Sequence, residues 1–274
     1  MPAPLKDIIA LNAKLEWAEE HIQAFQLFWS DFREKSYRVE SKNDSKSGQR
    51  VYFLADAWDL DERFSVRIGD IVHNLRSALD HLAYRAMSVS PGITAKNLQS
   101  VYFPIAETAA EYQSLKGRRV KGMRQDTVKA IDLIEPYRGG AGEILWQLHD
   151  LDIIDKHKLL IAVGSTSRQQ SMPPSEIARL KREFLGIRQQ IYTPAQEAIL
   201  FQTARASIQF PLKRGDILAI IPEREVNEHM HFTFEVAFGE PIALRGEPVI
   251  AKLFEMSGRI RDIIRNFDNA GYLE

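Results

Sequence analysis

Four of the seven histidines of this chain lie in two segments, residues 64–87 and 142–160, among several aspartates. Imidazole and carboxylate groups exchange protons near neutral pH, and both also bind metal ions. We predict that both segments are helical, the first from its strong periodicity and the second from its position after the glycine-rich residues 139–142. These two helices are where we expect the functional site.

The first of these helices, residues 64–87, is sharply divided at about 100° per residue. Its apolar face comprises Ile68, Ile71, Val72, Leu75, Leu79, Leu82, Ala83 and Ala86. Its polar face comprises Asp70, His73, Asn74, Ser77, Asp80, His81 and Tyr84, with Arg76 at the boundary. Lys and Glu, the usual residues of a solvated helix face, are absent from it. The polar face therefore either pairs with neighbouring groups or forms an acid–base or ligand site.

Within this helix, the segment Arg76-Ser77-Ala78-Leu79-Asp80-His81 has the spacing Arg-x4-His. It resembles the signature of the HEPN superfamily, helical proteins that include many metal-independent ribonucleases. The resemblance implies that His81 acts as general acid/base on the ribose 2′-hydroxyl and that Arg76 holds the scissile phosphate. It implies no cofactor and a homodimer that brings two motifs together. We add Asp80 and His73, on the same face, to the candidate catalytic residues.

The second helix, residues 142–160, places His149, Asp152 and Lys156 on one face, with Asp155 beside them. Burying ionisable groups is costly unless they pair. One interpretation is internal pairing, with Asp152 bridging Lys156 at i,i+4. In the other, this face meets the polar face of helix 64–87, because facing helices of a bundle often build sites from such groups.

The segments HNLRSALDH (residues 73–81) and LHDLDIIDKH (residues 148–157), taken together, resemble a family of bacterial proteins with no assigned function. The residues Phe103-Pro104-Ile105 between them add to the likeness. This resemblance implies a bacterial protein but no particular chemistry.

A basic cluster follows farther along the chain. Arg118, Arg119 and Lys121 lie with Lys116 and Arg124 beside two glycines. Such a cluster could bind a phosphate or an RNA backbone. A solvated helix connection is the alternative.

Composition excludes several classes of site. The chain has no cysteine, which rules out disulfides, thiolate metal sites and a cysteine nucleophile. Its net charge of −1 gives no general attraction to nucleic acid or anionic membranes. The first residues lack the pattern of a signal peptide, and no apolar stretch approaches the ~20 residues that span a bilayer. We therefore expect a cytoplasmic protein with no membrane contact.

The remaining pattern predicts an α+β fold, mainly a helical bundle, with a small antiparallel β-sheet in the C-terminal part and a closing C-terminal helix. We expect one domain over 1–274, with a helical core at about 1–164, a helix at 175–190, the sheet at about 207–240 and the last helix, 248–267, packed on it. We also predict a helix at 5–33, a hairpin within 37–54, a short strand at 101–105, helix over most of 108–135 and a loop at 165–174.

Three functional hypotheses follow from the sequence. The first is a HEPN-like, metal-independent ribonuclease using His81 and Arg76, with RNA as partner and a homodimer as its form. The second is a metal-dependent enzyme, whose ligands would come from His73, His81, His149, Asp152 and either Asp155 or His157. The third is a non-catalytic binding or sensor protein, whose polar network fixes the packing of the two helices.

Overall fold

The computed structural model of the protein describes residues 4–45, 48–158, 160, 162–170, 211–222 and 230–274. The chain divides into two compact units. The first unit contains Met1–Ser30, Leu60–Ala162 and Phe238–Glu274, and the second contains Asp31–Asp59 and Val163–Ala237. The single domain expected from the sequence, with the last helix packed on the sheet, stays a prediction.

The first unit is helical. The α-helices of the described residues are α1 (Pro4–Ser36), α2 (Glu62–Ser88), α3 (Ala95–Ser100), α4 (Ala109–Arg119), α5 (Gln125–Ile134), α6 (Glu143–His157) and α7 (Val249–Asn269). Helix α2 is the centre of this unit, because α3, α6 and α7 all pack on it. The last residues of α1 belong to the second unit.

The strands belong mainly to the second unit. They are β1 (Tyr37–Asp44), β2 (Gln49–Ala57), β3 (Ala162–Gln170), β4 (Ile217–Pro222) and β5 (Met230–Phe238). Strands β1, β2 and β4 form an antiparallel sheet in that order, and β3 pairs with β5. Tyr37 stacks on Phe234 with 5.0 Å between ring centroids and 6° between planes. This contact helps to hold β1 and β5 together within the unit.

The α+β, mainly helical fold with a small antiparallel sheet and a C-terminal helix is confirmed. The hairpin, the first helix and both histidine-containing helices are also confirmed. The pairing of the strands differs from expectation, because β4 adds to the N-terminal hairpin and β5 pairs with β3 rather than with β4. The predicted helix 175–190, residues 171–174 of the predicted loop, and residues 207–210 and 223–229 of the predicted sheet lie outside the described residues.

Two local predictions were wrong and a third was confirmed. Residues 165–170, expected in a loop, belong to β3. Helix over most of 108–135 is confirmed and consists of two helices, α4 and α5, because Gly122 between them has a φ of +95°, which a helix interior cannot contain. Residues 101–105 form no strand, although an isolated parallel bridge joins Ala106 to Tyr137.

Candidate functional site

Helix α2 carries several of the candidate site residues, and its N-terminal cap and its buried apolar face fix its position. The carboxylate of Asp61 caps its first turn by accepting a hydrogen bond from the backbone N–H of Arg63 at 2.9 Å. All eight residues of the predicted apolar face are buried, at 1% exposure or less. Because α2 also packs on α6, polar groups on the side that faces α6 have defined positions.

One polar group centres on Arg76, which is 7% exposed. Its Nη1 donates to Asp80 Oδ1 at 2.6 Å, its Nη2 donates to the backbone carbonyl of Phe103 at 3.1 Å, and its Nε donates to His149 Nδ1 at 3.4 Å. Asp80 Oδ1 also accepts the backbone N–H of Phe103 at 3.0 Å. We call Arg76, Asp80, His149 and the Phe103 backbone the Arg76 network.

The Arg76 network explains how residues 101–105 can be buried without being a strand. Val101, Phe103 and Ile105 are 6%, 1% and 3% exposed, so their backbone polar groups are cut off from water. A buried backbone group needs a partner, which a strand obtains from its neighbour. Here Arg76 and Asp80 supply both partners of Phe103. The expected edge strand is therefore replaced by an irregular segment held by side chains.

His149 is the member of the Arg76 network that belongs to α6. Burial, and then the Arg76 guanidinium, lower the pKa of the His149 imidazole from 6.5 to about 4. The side chain is consequently neutral at pH 7. Because Nδ1 accepts the bond from Arg76, the proton of the neutral ring is on Nε2, which is left as a hydrogen-bond donor.

A second polar group also joins α2 to α6. The buried carboxylate of Asp152, 1% exposed, accepts from His73 Nδ1 at 3.2 Å and from Lys156 Nζ at 2.5 Å. The side chains of His73 and Lys156 are 58% and 55% exposed. We call these three residues the Asp152 network. Both sequence interpretations of this face hold, since Asp152 bridges Lys156 at i,i+4 and also meets α2.

Asp155 lies beside the Asp152 network without belonging to it. Its carboxylate is placed over Gly69 of α2, where a Cβ would overlap it. Burial, followed by the charges of Asp152 and Asp70, raises the pKa of the Asp155 carboxyl. The absence of a side chain at Gly69 is what lets α6 bring this carboxylate so near to α2.

Arg76 and His81 do not come together. Five residues apart on one helix, they point in directions about 140° apart. Arg76 is buried and makes three hydrogen bonds, whereas His81 is exposed and makes no hydrogen bond or ion pair with any described residue. His157, at the end of α6, is exposed as well.

An open pocket of about 410 Å³ lies beside His149. Its walls come from residues 105–107, from α4 and from α6. The apolar lining residues are Ile105, Ala106, Leu115, Trp146 and Ile153, and the polar ones are Glu107, Glu111, Ser114, Arg118, His149 and Asp150. We call it the α4–α6 pocket. Its volume is within the range of small-ligand sites.

The carboxylates of the α4–α6 pocket differ in their partners. Glu107 accepts from the Trp146 indole N–H at 2.7 Å and pairs with Arg138 at 3.0 Å. Glu111 caps α4 by accepting from the backbone N–H of Thr108. Asp150 makes no hydrogen bond or ion pair with the described part of the chain, and burial, followed by the charge of Glu107, raises its pKa.

The residues of the predicted basic cluster have different surroundings at the end of α4. Lys116 is paired with Asp132 at 2.7 Å. Arg118 is exposed and lines the pocket, and the Arg119 guanidinium lies 4.8 Å from the centroid of the Tyr102 ring. Lys121 is exposed in the turn that follows. Binding of a phosphate or an RNA backbone by Arg118, Arg119 and Lys121 stays a prediction.

Several residues of the site gave no signal in the sequence. Glu107 meets Trp146 across 39 positions, and Arg76 meets Phe103 across 27. Neither contact has a local motif. One general rule could have pointed to the second contact, because a buried segment that is not a strand requires side-chain partners for its backbone.

No group of three or more His, Asp or Glu side chains that could hold a metal ion occurs among the described residues. Over the same residues, no helix combines the length and apolar character needed to cross a membrane.

The chain matches no protein-family model, no curated protein and no solved structure. Its function is therefore argued from the geometry of the site.

Proposed function

We propose that this protein binds a small organic ligand in the α4–α6 pocket, as a binding or sensor protein, and that the Arg76 network positions the pocket. The observation that carries this proposal is the position of Arg76. One buried guanidinium contacts both His149, which lines the pocket, and Phe103, which lies two residues before the wall at residues 105–107.

The pocket wall is fixed at three points. Phe103 is held by Arg76 and Asp80, and the backbone N–H of Ala106 donates to the Pro136 carbonyl at 3.2 Å. The side chain of Glu107 is then held by Trp146. A preformed wall favours binding, because little conformational entropy is lost when the ligand enters.

The lining is also that of a binding site. Ile153 of α6 is 42% exposed although it is apolar, and it lines the pocket. Apolar side chains with a few polar groups are typical of small-molecule sites. In contrast, the guanidinium of Arg76 would have to leave three partners to reach a phosphate.

The test uses the indole N–H of Trp146, whose hydrogen bond to Glu107 makes it a reporter of the pocket. The chain has four tryptophans, so ¹⁵N-labelled protein gives four indole signals, and Trp146→Phe assigns the relevant one. We expect benzylammonium, benzyl alcohol or benzoate, each at about 10 mM, to shift that signal, since ligands of about eight non-hydrogen atoms bind in the millimolar range.

Ile153→Tyr replaces a lining side chain with a larger one, so it should fill part of the pocket and abolish the shift. The matched control is Ile242→Tyr, at an isoleucine that is 91% exposed and lies outside the pocket lining. If none of the three probes moves the Trp146 signal of the wild-type protein, the proposed function is wrong.

A second candidate is the metal-independent ribonuclease, favoured by the exposure of the His81 imidazole to solvent. It would use His81 as general acid/base and RNA as substrate, within a homodimer. The test is cleavage of a single-stranded RNA by wild type, His81→Ala and the control His157→Ala, which also alters an exposed histidine. Loss of cleavage only in His81→Ala would support it, and cleavage unaffected by His81→Ala would exclude it.

A further inference from the structure

The charges of the α4–α6 pocket are unbalanced. Three carboxylates line it, from Glu107, Glu111 and Asp150, against one guanidinium, from Arg118. His149 adds no positive charge at pH 7, because burial and Arg76 keep its pKa near 4. An anionic ligand would therefore meet an excess of negative charge, whereas a cation would reduce it.

The three carboxylates are not equally available to a ligand. Glu107 already has Arg138 and the Trp146 indole, and Glu111 has the first turn of α4. Asp150 is half-buried and has no partner among the described residues. A carboxylate partly removed from water and without a cation is costly, so Asp150 is the group with most to gain from a positively charged ligand.

We infer that the α4–α6 pocket binds a small organic cation, a protonated amine on an apolar body, with its ammonium group at Asp150. The inference rests on the proposed function and names the ligand class for the same pocket. The apolar body contacts Ile105, Leu115 and Ile153, which line the remainder of the pocket. The raised pKa of Asp150 agrees with this assignment. Burial and the charge of Glu107 destabilise the ionised carboxylate, and a bound cation would offset that destabilisation.

Arg118 is consistent with this assignment. It is exposed, at the end of a helix, and its long side chain can remain in water when a ligand enters. The Arg138 guanidinium lies 5.2 Å from the centroid of the Trp146 ring, so this ring is already occupied by a cation. The ammonium of the ligand is therefore assigned to Asp150 and not to the indole.

The experiment compares three probes of nearly the same size at pH 7.5 and constant ionic strength: benzylammonium, benzyl alcohol and benzoate. Each is titrated while the Trp146 indole signal is followed. We expect benzylammonium to bind about tenfold more tightly than benzyl alcohol, and benzoate more weakly than either. Asp150→Asn should remove the preference for the cation and leave the affinity for benzyl alcohol unchanged.

The matched control is Asp262→Asn, at an exposed aspartate of α7 outside this pocket; it should keep the preference. A lysine side chain carries the same ammonium group, so the peptide acetyl-Gly-Lys-Gly-amide is a fourth probe. Tighter binding of that peptide than of benzylammonium would overturn the assignment to a small amine.

The two ideas fail in different ways. If benzyl alcohol or benzoate binds at least as tightly as benzylammonium, or if Asp150→Asn keeps the cation preference, the ligand class is wrong while the pocket remains a binding site. If no probe binds, the proposed function itself fails.

Discussion

The Arg76 network and the Asp152 network join the same two helices with the same kinds of residue, yet they differ in exposure. In the Arg76 network the cation is buried, with its side chain 8% exposed. Arg76 donates to the C=O of Phe103, and Asp80 accepts from the N–H of the same residue. In the Asp152 network the anion is buried, and both partners, His73 and Lys156, are more than half exposed.

This difference in exposure indicates different roles for the two networks: the Arg76 network stabilises the fold, and the Asp152 network presents an imidazole to solvent. Removing Arg76 would leave the buried backbone carbonyl of Phe103 without its donor, and the carboxylate of Asp80, whose side chain is 26% exposed, without its cation. Removing His73 would leave Asp152 paired with Lys156, and water could reach the vacated position. The buried network should therefore determine stability, whereas the exposed one leaves an oriented imidazole, with Nε2 open, at the surface.

The largest effect is expected for Arg76→Met. Loss of the buried cation should cost about 3 kcal/mol of unfolding free energy, because the Phe103 carbonyl stays buried without its donor and Asp80 keeps only the Phe103 N–H as a partner. The measurement is guanidinium chloride unfolding at pH 7. The control is Arg63→Met, whose ion pair with Asp61 has side chains 71% and 38% exposed, and which should cost much less than Arg76→Met because water screens an exposed pair. Equal losses in the two variants would remove the distinction between the networks.

A smaller effect is expected for His149 and depends on pH. At pH 7 the imidazole is neutral in both the folded and the unfolded chain. Below pH 6.5 the unfolded chain takes up a proton that the folded chain does not accept until about pH 4. The unfolded state thus binds more protons in this window, and the free energy of unfolding falls as pH falls.

The measurement compares wild type with His149→Gln at pH 7, 5.5 and 4. Between pH 7 and pH 4 the wild type should lose on the order of 2 kcal/mol more than the variant. The other titrating groups cancel in this difference. His157→Gln, at an exposed histidine, should follow the wild type. A pH-independent difference between wild type and His149→Gln would mean that His149 is not held neutral by Arg76 and burial.

The parts of this site that the sequence predicts are the local ones. The faces of α2 follow from the periodicity of its apolar residues, and the Asp152–Lys156 pair follows from i,i+4 spacing. The strand predicted at 101–105 was wrong because β propensity describes how a residue fits a sheet, and none of the strands in the described part of the chain pairs with this segment. The contacts of Phe103 lie 23 and 27 positions away in sequence, so no local pattern encodes them.

The smallest effect is expected for His73→Gln. A hydrogen bond from an exposed side chain contributes about 1 kcal/mol or less, and Lys156 still pairs with Asp152 after the change. We expect a loss of about 0.5 kcal/mol by the same unfolding measurement, against a larger loss for Asp152→Leu, which takes the shared acceptor from both partners.

The imidazoles of His73 and His149 should also differ in their access to a reagent in solution. Diethyl pyrocarbonate should modify His73, whose side chain is 58% exposed, faster than His149, as read by peptide mass spectrometry of the native protein. Faster modification of His149, or a cost for His73→Gln as large as that for Arg76→Met, would mean that the two networks do not divide stability and accessibility between them. If the order holds, further searches for acid–base chemistry belong at His73 and at His81, and searches for a ligand at the pocket beside His149.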